Sequence, residues 1–238
     1  MHQPLSHSPA APRARIQSTV TTPEQPAASL HAPPRLILAS RSPRRRRLLA
    51  QAGFAHESLP PPVNDADLAR PPALPSAHWV AALAYFKAAA TALTLPDRSP
   101  ALVLGADTVC VHGDAILGQP RDAQHAAAMI RAMQSATHDV LTGVAVLDLA
   151  AGTRLIFTDR AVVRVGEIGE DRILEYVRSD LWHGKAGAYN LEERIAAGWP
   201  IHCLGDPATV MGLPMRMLTP ILSRRLVRPA TPTQEVSP

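Results

Sequence analysis

The chain has 238 residues, 46% of them apolar and only 4% aromatic, with a formal net charge of +4. That length and composition suit one large α/β domain or two small lobes around an aliphatic core. They exclude a membrane-spanning helix, because no apolar run approaches the required ~18 residues. A nucleic-acid binder is disfavoured too, because the basic residues form no long stripe and meet no aromatic platform.

Residues 1–34 mix Pro, Ala, Ser, Thr and His. Such a segment cannot bury enough surface to offset its ordering entropy, so a disordered tail is expected there. Residues 229–238 read the same way, leaving 35–228 as the folded domain. Leu36–Ala39 is a short apolar run and predicts a buried strand. Ser42 suits a helix N-cap, Pro43 the first helical position and Gly53 the stop, so a helix is expected over Arg44–Ala52. Residues 55–76 are Pro-rich and irregular. His78–Leu93 is alanine-rich and helical in pattern.

Ala101–Leu104 predicts a second buried strand, ending at Gly105-Ala106-Asp107-Thr108. Val109–Val111 and Ala115–Leu117 flank His112-Gly113-Asp114 and predict a hairpin. Asp122 can cap a helix over Ala123–Met133. Val140–Leu149 and Leu155–Val165 read as strands joined through Ala151-Gly152. Ile168–Val177 reads as a helix, Gly184–Tyr189 as a glycine-containing loop, Pro200–Leu204 as a strand and Leu213–Leu226 as a closing helix. The alternation predicts an α/β domain with a mixed sheet.

Three stretches could carry chemistry. Ser40-Arg41-Ser42-Pro43-Arg44-Arg45 places two hydroxyls and several arginines where a strand feeds a capped helix. Free N–H groups and the positive dipole end make that turn a natural phosphate site. Asp107 lies where open α/β sheets place ligands, and beside phosphates such an acid can hold Mg²⁺ or activate water. Gly184-Lys185-Ala186-Gly187-Ala188-Tyr189 lets backbone approach a ligand and offers a point charge. Lys185 and Lys87 are the only lysines against 22 arginines. A composition that favours Arg for any cation leaves Lys where a compact charge is required. His138 precedes a strand and is assigned no catalytic role. Cys110 and Cys203 show neither metal nor disulfide spacing, which fits a reducing cytoplasm.

In order, the motifs resemble the Maf family of nucleoside triphosphate pyrophosphatases. The matching stretches are Leu38–Arg45, Lys87-Ala88, Leu104–Val109, Leu117–Pro120, Thr137–Val140 with Thr142–Val144, Lys185–Tyr189 and Val210–Pro214. The resemblance implies a mixed twisted sheet with flanking helices and two lobes around a cleft. It implies hydrolysis of (d)NTP to (d)NMP and pyrophosphate, on standard or non-canonical nucleotides, with a divalent metal (Mg²⁺ or Mn²⁺), and a homodimer. It makes Asp107 the proton acceptor and Ser40, Ser42, Arg44, Arg45, Lys87 and Lys185 phosphate ligands. Asp65 and Asp107 become candidate metal ligands, and Arg44, Thr108 and Glu192 the positions that tune base preference.

The chain departs from the family pattern in two places. Gln119 stands where the family usually has Lys, and Asn64-Asp65 replaces an acidic pair. The pyrimidine branch usually reads Y-G-I-Q where this chain has Tyr189-Asn190-Leu191-Glu192, so no base is assigned. A catalytically impaired nucleotide-binding regulator, linked to cell division, is the alternative expectation.

Overall fold

A computed structural model describes residues 34–64, 68–95, 100–113 and 115–226. The expected tails, apart from Pro34, and the candidate metal ligand Asp65 lie outside these residues. In chain order the elements are β1 (Arg35–Ala39), α1 (Pro43–Gln51), β2 (Glu57–Ser58), α2 (Ser76–Leu93), β3 (Ala101–His112), β4 (Ala115–Leu117), α3 (Ala123–Met133), β5 (Ala136–Asp148), β6 (Thr153–Val165), α4 (Glu170–Arg178), α5 (Leu191–Ala196), β7 (Ile201–Leu204), α6 (Pro207–Val210) and α7 (Met215–Leu226). No helix among the described residues is long and apolar enough to cross a membrane.

The strands form one seven-stranded sheet in the order β2-β1-β3-β5-β6-β7, with β4 paired to β3. β1 runs parallel to β2 and β3, and every other pairing is antiparallel. The mixed α/β fold expected from the sequence is therefore the one observed. β3 is longer than expected: it continues through Gly105-Ala106-Asp107-Thr108 as far as His112 instead of ending there. β5 likewise begins at Ala136, so His138 lies inside a strand.

Side chains alternate between the two sheet faces. Helix α2 covers one face, where Val80, Leu83, Ala84, Lys87, Ala88 and Thr91 form its buried stripe. That i, i+3, i+4, i+7 spacing is one side of an amphipathic helix, and Lys87 falls within it. Two glycines allow the close fit. A Cβ on Gly105 would sit 2.2 Å from the Ala84 carbonyl oxygen, and one on Gly143 would sit 2.3 Å from that of Val80.

The opposite face carries two clusters. Leu48 and Leu49 of α1 pack with Leu218 and Leu222 of α7 over Leu36, Leu38, Leu102 and Leu104. Further along, α3 and α4 bury Ile130, Met133, Ile173 and Tyr176 against Val140, Val163 and Trp199.

The sheet contains a notch. β1 pairs with β3 only as far as Gly105, and β4 begins pairing at Cys110. On that edge no strand among the described residues pairs with 106–109. The sequence motif that reads as a strand end is thus a strand interior whose neighbour has ended.

Candidate active site

The notch collects most of the candidate residues. At the end of β1, Ser40 is nearly fully buried, and its Oγ accepts from the Ser42 amide at 3.1 Å and from Arg45 Nη1 at 3.3 Å. Ser42 caps α1 as expected, its Oγ accepting from the Arg45 amide at 3.4 Å. Arg45 also donates from Nε to the Gly212 carbonyl at 2.9 Å and from Nη2 to Thr108 Oγ1 at 3.1 Å. Its guanidinium is therefore held in one orientation before any ligand arrives. A fork-shaped cation so fixed is suited to phosphate oxygens.

Thr108 completes this brace. Its hydroxyl lies 2.9 Å from that of Thr142, which donates to the Thr209 carbonyl at 2.7 Å. Each hydroxyl has one proton. Thr142 spends its own on Thr209, so Thr108 donates to Thr142 and accepts from Arg45.

On the α2 face, Lys87 Nζ donates to Asp107 Oδ1 at 2.5 Å, with about 11% of each side chain exposed. Asp107 and Thr108 are consecutive in a strand and so project to opposite faces. The two faces meet through the notch. A small hollow lined by Ser40, Arg41, Ser42, Arg45, Pro61, Val63 and Lys87 adjoins a larger cavity of about 220 Å³. Ser42 and Arg45 border both. The larger one is lined by Arg44, Thr108, Cys110, Gln119, His138 and Tyr189, among others. Arg44 lines the cavity and forms no ion pair among the described residues.

Asp107 itself lines neither hollow and meets the smaller one through its partner Lys87. Two further expected residues stand apart. Lys185 is paired with Glu193, Nζ to Oε2 at 2.5 Å, and borders neither hollow, although Gly184 and Ala186 beside it line the cavity. Glu192 is half-exposed and bonded to Arg47 at 2.7 Å. It is not part of the cavity wall. A pair this open to solvent contributes little to stability. Gln119, which stands where the family usually has Lys, lines the larger cavity and not the hollow of Ser40 and Lys87.

His138, assigned no role from the sequence, is buried in the cavity wall, with Nε2 2.9 Å from the Tyr189 hydroxyl. Burial, and then the nearby His112, lower its pKa to about 4, against a smaller opposing effect of Asp139. The ring is neutral near pH 7. Burial likewise raises Tyr189 above the usual phenol range and pushes the Cys110 thiol up to about 12, so both keep their protons. Cys110 is thereby unsuited to nucleophilic work.

The His138 shift has a consequence for stability. Its folded pKa lies below the ordinary 6.5, so between these values the unfolded chain binds a proton that the native one does not. The stabilisation is complete above pH 6.5 and is lost as the pH falls towards 4, by roughly 3 kcal/mol in all. Denaturant unfolding of the parent and His138→Gln at pH 7 and 4.5 checks this: the acid-side loss is expected to be smaller in the variant.

The family model for Maf-like proteins matches residues 35–225. The chain belongs to the Maf-like family. It is 39% identical over 189 residues to the dTTP/UTP pyrophosphatase of Pelotomaculum thermopropionicum, covering 79% of this chain and 95% of the relative. It is 37% identical over 183 residues to that of Salinibacter ruber, covering 77% and 87%. A third relative, the dTTP/UTP pyrophosphatase of Burkholderia thailandensis, is 39% identical over 187 residues, covering 76% and 89%. The matched stretch of this Maf-like protein includes both hollows and the whole sheet.

Proposed function

We propose that this Maf-like protein is a nucleoside triphosphate pyrophosphatase that converts dTTP and UTP to the monophosphate and pyrophosphate. The observation that carries the reading is the buried Asp107–Lys87 pair at the notch, whose lysine borders the hollow at the phosphate-type turn. The base assignment rests on the names of the relatives.

Ser40, Ser42, Arg44 and Arg45 bind phosphate oxygens, and Lys87 shares its three donors between Asp107 and the triphosphate. Asp107 orients a water and takes its proton as the oxygen attacks the α-phosphorus. The α–β phosphoanhydride bond breaks and pyrophosphate leaves. Preorganised cations are the largest contribution to lowering the barrier.

No group of three or more His, Cys, Asp or Glu side chains that could hold a metal occurs among the described residues. A single carboxylate plus substrate phosphates and water is a donor set that suits Mg²⁺ or Mn²⁺ arriving with the nucleotide. Asp107 would hold that ion, which supplies neutralisation of phosphate charge. Lys185 reaches substrate only by leaving Glu193, so it is assigned a lesser part than Lys87.

The test is pyrophosphate release from a panel of standard and modified nucleoside triphosphates with Mg²⁺ and Mn²⁺. Release from dTTP and UTP is expected. Tight nucleotide binding without release from any member would favour the regulator. Lys87→Ala is expected to lower kcat about a hundredfold, and Lys87→Arg to fail to restore it, because a planar fork does not fit where the helix lies against Gly105. Recovery with Arg would refute the compact-charge argument.

A further inference from the structure

The larger cavity presents hydrogen-bond donors in fixed positions. Tyr189 and His138 share one hydrogen bond, and a neutral imidazole has a single N–H to place. His138 Nδ1 is buried with no partner among the described residues. An N–H left there would be a bare buried donor, which native structures tolerate less than a bare acceptor. The proton therefore sits on Nε2 and is donated to the Tyr189 oxygen. The Tyr189 hydroxyl, its oxygen already accepting, keeps a proton with no acceptor among the described residues.

Asn190 adds a second donor. It is 7% exposed and lines the same cavity. Its Oδ1 accepts from the Glu193 amide at 3.1 Å as the N-cap of α5. That contact fixes which way the amide faces, because only the oxygen can accept. The Nδ2 group then carries protons with no acceptor among the described residues. The cavity thus offers two neutral donors. Gln119, also on its wall, can donate or accept.

We infer that Tyr189, oriented by His138, and Asn190 are the specificity-determining residues of the base cavity, reading ring carbonyls and rejecting an exocyclic amino group. A 2,4-dioxo pyrimidine such as uracil or thymine carries two carbonyls around one N–H. Cytosine replaces one carbonyl by a donor, which would face a donor in the wall and leave both unsatisfied. Sites built on buried hydrogen bonds discriminate strongly for this reason. His138 is a positioning residue, since it acts through Tyr189. This inference rests on the proposed nucleotide reading of the site.

The test compares UTP with CTP in the full-length protein. Tyr189→Phe keeps the ring and removes the hydroxyl. Asn190→Asp keeps the N-cap oxygen and replaces the donor with an acceptor. In Tyr189→Phe the UTP-to-CTP ratio of kcat/KM is expected to fall about tenfold, one hydrogen bond's worth of discrimination, mainly through KM for UTP. In Asn190→Asp it is expected to fall further, as CTP gains a partner. A ratio unchanged in both variants, or equal losses on both nucleotides, would overturn the inference. Absence of turnover in the parent protein counts against the pyrophosphatase reading alone. The same ratio, taken from equilibrium binding of UTP and CTP, then decides the inference by the same two outcomes.

Discussion

Asp107→Asn is expected to lower pyrophosphate release by about a thousandfold, in the middle of the range that one acid–base group supplies. The amide keeps the shape of the carboxylate and can still accept from Lys87, but it cannot take a proton from water. Nucleotide binding should persist, because the turn from Ser40 to Arg45 is built from its own contacts. The substitution also removes the countercharge from a buried pair, so a loss of about 1–3 kcal/mol in stability is expected alongside. Single-turnover pyrophosphate release and a denaturant titration separate the two effects. Turnover within tenfold of the parent would remove Asp107 from its assigned role.

The second large effect is expected from a residue that touches no substrate. In Gly143→Ala the new methyl would lie 2.3 Å from the Val80 oxygen, 2.4 Å from the Val80 carbonyl carbon and 2.6 Å from the Ala81 nitrogen. All three are backbone atoms of α2, so no rotamer change relieves the overlap and the helix itself must move. Overpacking of this kind costs at least about 3 kcal/mol. Because Lys87 rides on the same helix, activity should fall as well, even at temperatures where the variant is folded. Gly118→Ala is the control, since a Cβ there meets nothing within 4 Å. Equal melting temperatures for the two variants would show that the helix is not seated as described.

Where the sequence carried a local signal, the elements match it. Asp122 caps α3 over Ala123–Met133, and Ser42 with Pro43 opens α1, as their side chains predict. The failures have physical causes. Gly and Asp are poor strand residues, so Gly105 to Asp107 reads as a turn. Only the sheet shows that Gly105 is a contact point for a helix and that Asp107 has a buried lysine beside it. The short helices α5 and α6 are too brief for periodicity to reveal. Their capping residues, Asn190 and Asp206, were the available signs.

The site was legible unevenly for the same reason. Arg45, Thr108 and Lys87 lie within family motifs and converge at the notch. Glu192 lies just beyond such a motif, yet the first turn of α5 aims it at Arg47. His138 lies in the Thr137–Val140 motif yet was assigned no role, because its importance depends on Tyr189, 51 residues away. The excess of arginine singled out two lysines, and both are in close carboxylate pairs. Only Lys87 borders the hollow at the phosphate-type turn.

The passage of β3 through the notch also bears on which bond is cut. Asp107 and Thr108 are neighbours, one facing α2 and the other the larger cavity, and both are locked to β5 on the far edge. The distance between the acid and the wall of the base cavity is therefore set by strand pitch, about 3.3 Å per residue, and not by hinged side chains. In the proposed reaction this makes the strand a ruler. A diphosphate and a triphosphate seated by the same base bring the same phosphorus to the acid and differ only in what projects past it. Regiochemistry then belongs to the backbone, whereas preference for a pyrophosphate leaving group belongs to the cations beyond it. The two properties can drift independently in evolution, one held by a rigid strand and the other by exchangeable side chains.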